Sequence, residues 1–229
     1  MNLPEKTPPS RIIRNGCIAC AGLGLALVLL GWLLVPSTSP ISVGGACFIL
    51  AAYSLVGWFA FGRIQPEVFT RAAVFGLIAG GIYIGEILLE YVLLPRDNTS
   101  WGLIEFGAVF FVIFLSGLVA AWRSKRVSNA ILAALVTGML GSMLWLIAAL
   151  LTFYLFRGSA RQALVFAAEG NYADFARSGM GNFDAFMMED FFGAGFFHLL
   201  LAPLIAAILG TLGGWLGKGL FRINQRGKT

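Results

Sequence analysis

Charged side chains are scarce in this chain. They make up 12% of its 229 residues, while 59% of the residues are hydrophobic and the mean hydropathy is +0.84. A soluble globular domain usually carries about twice this charged fraction. The shortage therefore excludes an ordinary soluble domain and predicts a protein whose main partner is a lipid bilayer.

Metal-ligating and redox-active side chains are also few, with one histidine, His198, and three cysteines. A single histidine excludes bis-histidine haem ligation, and the acidic residues lack the spacing of a common zinc motif. Cys17 and Cys20 have the C-x-x-C spacing of redox proteins, but no second such pair accompanies them, so we interpret them as small apolar packing residues. The glycine-rich run that ends at Gly219 lacks the Ser or Thr that a phosphate-binding loop needs after Lys218. The sequence therefore predicts no cofactor and no metal.

Long apolar runs, in contrast, are abundant. Six of them reach about 20 residues or more, which is the length that a helix needs to cross about 30 Å of hydrocarbon. Backbone polar groups must be paired inside that layer, and the runs are too uniformly apolar for the alternating strands of a barrel. The predicted fold class is an all-α integral membrane protein, a six-helix transmembrane bundle over residues 16–217. The predicted spans are residues 16–35, 41–62, 72–94, 102–122, 130–156 and 191–217.

Basic residues collect in alternate connections between the spans. Short loops rich in Lys and Arg mark the cytoplasmic side, so we predict that both termini are cytoplasmic, as a tail at residues 1–15 and a basic tail at residues 218–229. Short loops and small size favour a bacterial inner membrane. Anionic lipid headgroups account for the net charge of +5, so no nucleic acid partner is expected. The side of the termini carries Lys6, Arg11, Arg14, Arg63, Arg71, Arg123, Lys125, Arg126, Lys218, Arg222, Arg226 and Lys228, and the other side carries Arg96, Arg157, Arg161 and Arg177.

Small residues recur every four positions in several spans. This spacing places each set on one helix face, where it lets two helix backbones approach closely in lipid. We predict that each of these faces has a close neighbour, either within the chain or in a second copy or a partner subunit. The sets are Gly16, Cys20 and Gly24 in the first span, Gly76 with Gly80 and, on another face, Gly81 with Gly85 in the third, and Ala202, Ala206, Gly210 and Gly214 in the sixth.

Four ionisable residues lie inside the predicted spans: Glu86, Glu90, Glu105 and His198. The predicted topology places them in the outer half of the bilayer, with Glu86 about 12 Å and His198 about 10 Å inward from the ends of their spans. Ionisable residues in a membrane usually face the bundle interior and are candidates for function. We interpret the four as ligand-binding or proton-handling groups of a polar cavity that opens outward. The alternative is that Glu90, Glu105 and His198 reach interfacial water, which leaves Glu86 as a single paired core carboxyl.

Pro203 follows His198 by five residues. A proline has no backbone N–H, so the carbonyl group of Leu199 is predicted to lack its helical hydrogen bond. We therefore expect a locally weakened helix beside the proposed site.

One long hydrophilic segment remains, at residues 157–190 on the predicted outer side. Its three arginines and five acidic residues give a net charge of −2, and aromatic residues recur at helical spacing, as in Tyr172 with Phe175 and Phe183 with Phe186. We predict short amphipathic helices that lie on the membrane surface. They would form a lid over the cavity or a docking surface, or would only cover the bundle.

These patterns favour a small-solute or ion-handling protein, related to transport, with its site near Glu86, Glu105 and His198. The alternative is a non-catalytic accessory subunit of a larger membrane complex, in which the small-residue faces and the aromatic-rich segment contact a partner. An intramembrane enzyme is disfavoured, because no nucleophile and base pair is visible. The two halves of the chain show no repeat of the kind that many transporters contain.

Overall fold

The computed structural model describes residues 9–59, 65–93 and 99–226. In this part of the chain 92% of the residues are helical and none belongs to a strand. Six of the described helices are long and apolar enough to cross a membrane, as predicted for a helical membrane bundle. The helices are α1 (Pro9–Leu34), α2 (Pro40–Phe59), α3 (Pro66–Leu88) with a π-helical turn (Leu89–Leu93), α4 (Thr99–Ser124), α5 (Val127–Phe156), α6 (Ala160–Ala168), α7 (Asn171–Ser178) and α8 (Phe183–Arg226).

The helices α1 and α8 extend beyond the spans predicted from hydropathy. Helix α1 begins at Pro9 rather than at residue 16, and α8 begins at Phe183 and ends at Arg226 rather than at residues 191 and 217. Hydropathy marks the part of a helix that fits the hydrocarbon layer, whereas the helix continues as long as its backbone is hydrogen-bonded. Asn182 precedes α8, and its Oδ1 accepts the N–H of Ala185 at 3.0 Å. Lys6, Arg63, Arg96 and Lys228, which entered the topology prediction, lie outside the described residues, as do residues 62 and 94 at the predicted ends of two spans.

Helix α5 lies at the centre of the bundle. Of the residues in its apolar 18-residue stretch, 78% are buried inside the protein, whereas the corresponding share is 22% to 39% in the other five long helices. Helix α5 contacts α1, α3, α4 and α8, and α2 packs at the edge against α1 and α8. Small residues, among them Ala134, Gly138 and Ser142, occupy buried positions of α5, which allows four helices to surround it.

The small-residue face of α8 packs against α5 of the same chain. This face consists of Ala202, Ala206, Gly210 and Gly214. A Cβ atom at Gly210 would lie 2.8 Å from the Cβ of Ala134, and one at Gly214 would lie 2.9 Å from Cγ1 of Val127. Such distances leave no room for a side chain, so the neighbour of this face lies within the chain.

The glycines of α3 divide between two environments. Gly76 and Gly80 lie against Leu140 and Leu144 of α5, with 2.9 Å between a Cβ atom built at Gly76 and Cβ of Leu140. Gly81 and Gly85 face open space, because no described atom lies within 4 Å of a Cβ atom built at either position. One of the two predicted faces of this span therefore packs inside the bundle, and the other lies at its surface.

A second glycine pair in α8, which the sequence analysis missed, faces α4. A Cβ atom at Gly213 would lie 2.6 Å from the carbonyl oxygen of Phe114, and one at Gly217 would meet the carbonyl oxygen of Leu118. The two glycines are four residues apart, so the same spacing rule could have found them. Helix α8 thus approaches the backbones of α4 and α5 on two sides.

The carbonyl group that Pro203 leaves unpaired in α8 has a partner on another helix. Helix α8 continues through Pro203. The hydroxyl of Tyr53 on α2 donates a hydrogen bond of 2.5 Å to the carbonyl oxygen of Leu199. This bond replaces the one that proline cannot donate and joins α2 to α8.

Residues 157–182, which contain α6 and α7, cover one end of the bundle, which we call the α6–α7 end. Arg157 follows α5 and donates hydrogen bonds of 3.4 and 3.5 Å to the carbonyl oxygen of Leu34 at the end of α1. It also forms an ion pair of 2.6 Å with Asp184 in the first turn of α8. A guanidinium group at a helix C-terminus satisfies backbone carbonyls and interacts favourably with the helix dipole.

Two further charged residues form hydrogen bonds with backbone groups at helix termini of the α6–α7 end. Arg161 on α6 donates to the carbonyl oxygen of Tyr91, with 2.9 Å between Nε and O, and also to that of Val92, at the end of the π-helical turn. Glu189 on α8 accepts the backbone N–H of Ser39 at 3.0 Å, directly before α2. The cation lies at a helix C-terminus and the anion at a helix N-terminus, as the helix dipole favours.

Candidate functional site

A chamber of about 170 Å³ lies at the α6–α7 end, between α3, α4, α5 and α8. The four ionisable residues that the sequence singled out all line it: Glu86, Glu90, Glu105 and His198. Glu169 at the end of α6 and Asp190 on α8 contribute two more carboxyl groups. Residues that are far apart in the sequence are thus brought to one polar cavity inside a largely apolar bundle.

The acidic residues of the chamber differ in their exposure to solvent. Glu169 and Asp190 are exposed, Glu86 and Glu90 are half-buried, and Glu105 is only 7% exposed. Among the described residues, no Lys or Arg lines the chamber. Clefts lined by charges of one sign focus the electric field, so ionised carboxylates at the exposed rim favour the approach of cations.

The carboxyl groups of Glu86 and Glu105 form a pair. Their side chains lie within hydrogen-bonding distance of each other, and two carboxyl groups can share a hydrogen bond only when one of them carries a proton. Within the described part of the chain, the buried Oε1 of Glu105 has no hydrogen-bond partner. A buried acceptor without a donor costs roughly 1–3 kcal/mol, so this position favours a ligand that brings a donor or a positive charge.

His198 lies among aromatic rings. Its ring stacks on Trp145, with 3.9 Å between centroids and 11° between planes, and on Phe106 at 5.6 Å. Tyr83 meets it edge-on at 5.5 Å. Nδ1 lies 2.8 Å from the carbonyl oxygen of Ala194, which can only accept, so Nδ1 is the donor. In the neutral imidazole this bond leaves Nε2 to accept a hydrogen bond from a ligand or from water.

The π-helical turn forms one wall of the chamber. It follows α3 directly and places Glu90 and the buried Tyr91 on the lining. The hydrogen bonds from Arg161 on α6 hold the end of this turn. Single π-helical turns inside helices are frequent at functional sites, because the extra residue per turn redirects the side chains that follow.

The carboxyl pair also borders the exterior of the bundle. A groove of about 260 Å³ between α3 and α4 is lined by Glu86 and Glu105 together with the exposed side chains of Trp101 and Ile104. The pair therefore lies between the chamber and a surface groove.

Several residues of the chamber were not predicted from the sequence. Trp145, Met187 and Phe191 were read only as apolar or amphipathic residues, yet they line it together with His198. Phe191 lies seven residues before His198 and Met187 eleven, a spacing that places all three on one face of α8 and that could have revealed them. Glu169 gave no such signal, because it reaches the chamber only through the fold of the segment between α5 and α8.

Metal binding has no support from the geometry. In the described ranges, no group of three or more His, Cys, Asp and Glu side chains is arranged to hold a metal ion. Cys17, Cys20 and Cys47 are all free thiols, and none of them lines the chamber. The chamber is lined by acidic and aromatic side chains.

No protein-family model, curated protein or solved structure matches the chain.

Proposed function

We propose that this protein binds a small cation in the chamber and handles it as a transport-related membrane protein. The observation that carries the proposal is the buried Oε1 of Glu105, which has no donor among the described residues although it lies in a chamber lined by five carboxyl groups. A cation with N–H groups would donate to this oxygen and would offset the repulsion between neighbouring carboxylates.

The volume and the lining of the chamber limit the cation. A cavity of about 150 Å³ holds one benzene molecule, so a chamber of about 170 Å³ fits a group the size of an amine or a guanidinium. Trp145 and Phe106 add aromatic rings to the lining, which suits an organic cation. Guanidinium is a suitable probe, because it is planar, keeps its charge at any physiological pH and can donate to two carboxylate oxygens at once.

For the orientation, we propose that the α6–α7 end faces the outside of a bacterial inner membrane and that both termini are cytoplasmic. The supporting observation is the excess of Lys and Arg at the opposite end, which includes Arg123, Lys125 and Arg126 between α4 and α5. In this orientation the exposed rim of the chamber faces the external solution, and Glu86 and Glu105 lie in the outer half of the bilayer.

The first test is equilibrium binding of radiolabelled guanidinium to the full chain in lipid nanodiscs. We expect the double variant Glu86→Gln with Glu105→Gln to bind at least about tenfold more weakly, because it loses the charge-assisted hydrogen bonds of the site. Glu67→Gln is the matched control, since Glu67 is an exposed acid on the same helix, paired at 3.9 Å with Arg71 at the opposite end of the bundle. Equal binding by the wild type and the double variant would rule out this site.

Transport is tested separately with the same probe. Guanidinium does not cross a pure bilayer readily, so uptake into liposomes that contain the protein reports passage through the protein. We expect uptake by the wild type and by Glu67→Gln and none above background by the double variant. Binding without uptake would retain the cation site and reject the transport role.

A further inference from the structure

A second cavity, of about 280 Å³, adjoins the acidic chamber. It lies between α3, α4, α5 and α8, on the side away from the α6–α7 end, and its lining is almost entirely apolar, with Ile113, Leu201 and Ile205 among the lining residues. Ser142 also lines it, but the hydroxyl of this serine already donates to the carbonyl oxygen of Gly138 at 2.7 Å. A cavity of this kind suits a hydrocarbon group, because it offers little to a polar one.

The two cavities share a wall. Phe106 and His198 line both of them, and their rings stack on each other with 5.6 Å between centroids. Beyond the shared residues Phe106 and His198, the apolar cavity extends to Ile113 on α4 and to Ile205 on α8, which is seven residues or about 10 Å along each helix. An acidic compartment thus adjoins an apolar one, with the rings of Phe106 and His198 between them.

The apolar cavity also reaches the surface of the bundle. Leu103 on α4 and Phe197 on α8 line it and are 71% and 54% exposed. In a membrane-spanning bundle this rim faces lipid, so a molecule dissolved in the bilayer could enter with its hydrocarbon part first. A phospholipid is a poor occupant, because its phosphate would lie beside the carboxyl groups of the acidic chamber.

We infer that the two cavities form one binding site for a cationic amphiphile. A protonated amine or guanidinium head occupies the acidic chamber at Glu86 and Glu105, and a hydrocarbon tail occupies the apolar cavity next to Phe106 and His198. This inference rests on the proposed function and assigns its substrate class, a cation that carries an apolar tail.

The experiment compares guanidinium with n-octylguanidinium, both measured against the full chain in nanodiscs. Burial of one methylene is worth about 0.8 kcal/mol, or about fourfold in affinity, so octylguanidinium should bind far more tightly than guanidinium. Lipid also takes up the tail, and a matched pair of variants removes that contribution. Leu201→Trp fills the apolar cavity, whereas Leu204→Trp adds the same side chain to α8 at an exposed position that does not line it.

We expect Leu201→Trp to bind guanidinium as the wild type does and to lose at least about tenfold in the affinity for octylguanidinium. The second variant, Leu204→Trp, should retain both affinities. If Leu201→Trp does not fold, Ile205→Phe fills the same cavity with a smaller change. Retained guanidinium binding shows in either variant that the acidic chamber is intact.

Two outcomes would overturn the inference. One is an equal gain from the octyl chain in the wild type and in the filled variant, which would mean that the tail lies in the bilayer and not in the cavity. The other is a copurified phospholipid, detected by native mass spectrometry, that octylguanidinium cannot displace. Failure of guanidinium itself to bind, or binding that survives neutralisation of Glu86 and Glu105, would instead reject the proposed function.

Discussion

Arg161 and Glu189 lie at the same end of the bundle as Glu86 and Glu105, yet the two pairs have different surroundings. Arg161 and Glu189 each interact with the backbone at a helix terminus, where their charge suits the helix dipole. Glu86 and Glu105 lie side by side, and in the described part of the chain Oε1 of Glu105 accepts no hydrogen bond. The first pair has the environment of stabilising charges, and the second pair has the environment that we propose for a cation site.

The largest expected effect on stability is that of Arg161→Ala. This change removes the charged donor from the carbonyl groups of Tyr91 and Val92, and hydrogen bonds to charged groups contribute about 1.5–3 kcal/mol. We expect the free energy of unfolding, measured in mixed micelles of SDS and a mild detergent, to fall by about 2–3 kcal/mol. Arg161→Lys keeps the charge without the forked donor and should lose less. An unchanged free energy for Arg161→Ala would show that the end of the π-helical turn is held by other contacts.

A smaller effect is expected for Glu189→Ala. The carboxylate of Glu189 acts as an N-cap for α2 from another helix, and loss of an N-cap typically costs about 1 kcal/mol. Glu189→Gln retains an oxygen that can accept the N–H of Ser39, so it should lose about half as much. Equal losses for the two variants in the same unfolding assay would contradict the capping role and indicate a purely electrostatic one.

The smallest effect on stability is expected for Glu105→Gln. The amide of glutamine can donate to Glu86, so the buried carboxyl pair becomes an ordinary hydrogen bond. We expect the free energy of unfolding to change by less than about 0.5 kcal/mol or to rise, although the proposed cation binding is weakened. A loss above about 1 kcal/mol, with Glu67→Gln unchanged, would place Glu105 among the structural charges.

The long helices were predictable from the sequence because the bilayer imposes a length and a composition on each span. The exact helix ends were not, because hydropathy marks only the part of α8 that fits the hydrocarbon layer, and the helix begins eight residues before that span. One of the two packing faces of α8 was predicted. The spacing of Gly210 and Gly214 indicated the face that packs on α5. Gly213 and Gly217 have the same spacing and form the face that packs on α4, which was not predicted.

The candidate site was predictable where it depends on single helices. Glu86 and Glu90 are one turn apart, and Glu105 and His198 are conspicuous as polar residues in apolar spans. The sequence did not indicate that α3, α4 and α8 bring the four into one chamber, since that depends on which faces meet around α5. It also did not indicate the roles of Arg157, Arg161 and Glu189, because each binds the backbone of a residue far away in the sequence.

The hydrogen bond from Tyr53 to Leu199 has a consequence for biosynthesis. While α8 enters the membrane on its own, Pro203 leaves the carbonyl group of Leu199 without a hydrogen-bond donor. An unpaired backbone carbonyl in the hydrocarbon layer costs on the order of several kcal/mol. The chain is made from its N-terminus, so α2 and its Tyr53 are already in the bilayer when α8 arrives. Helix α8 is therefore incomplete by itself, and docking against the earlier helix α2 completes it.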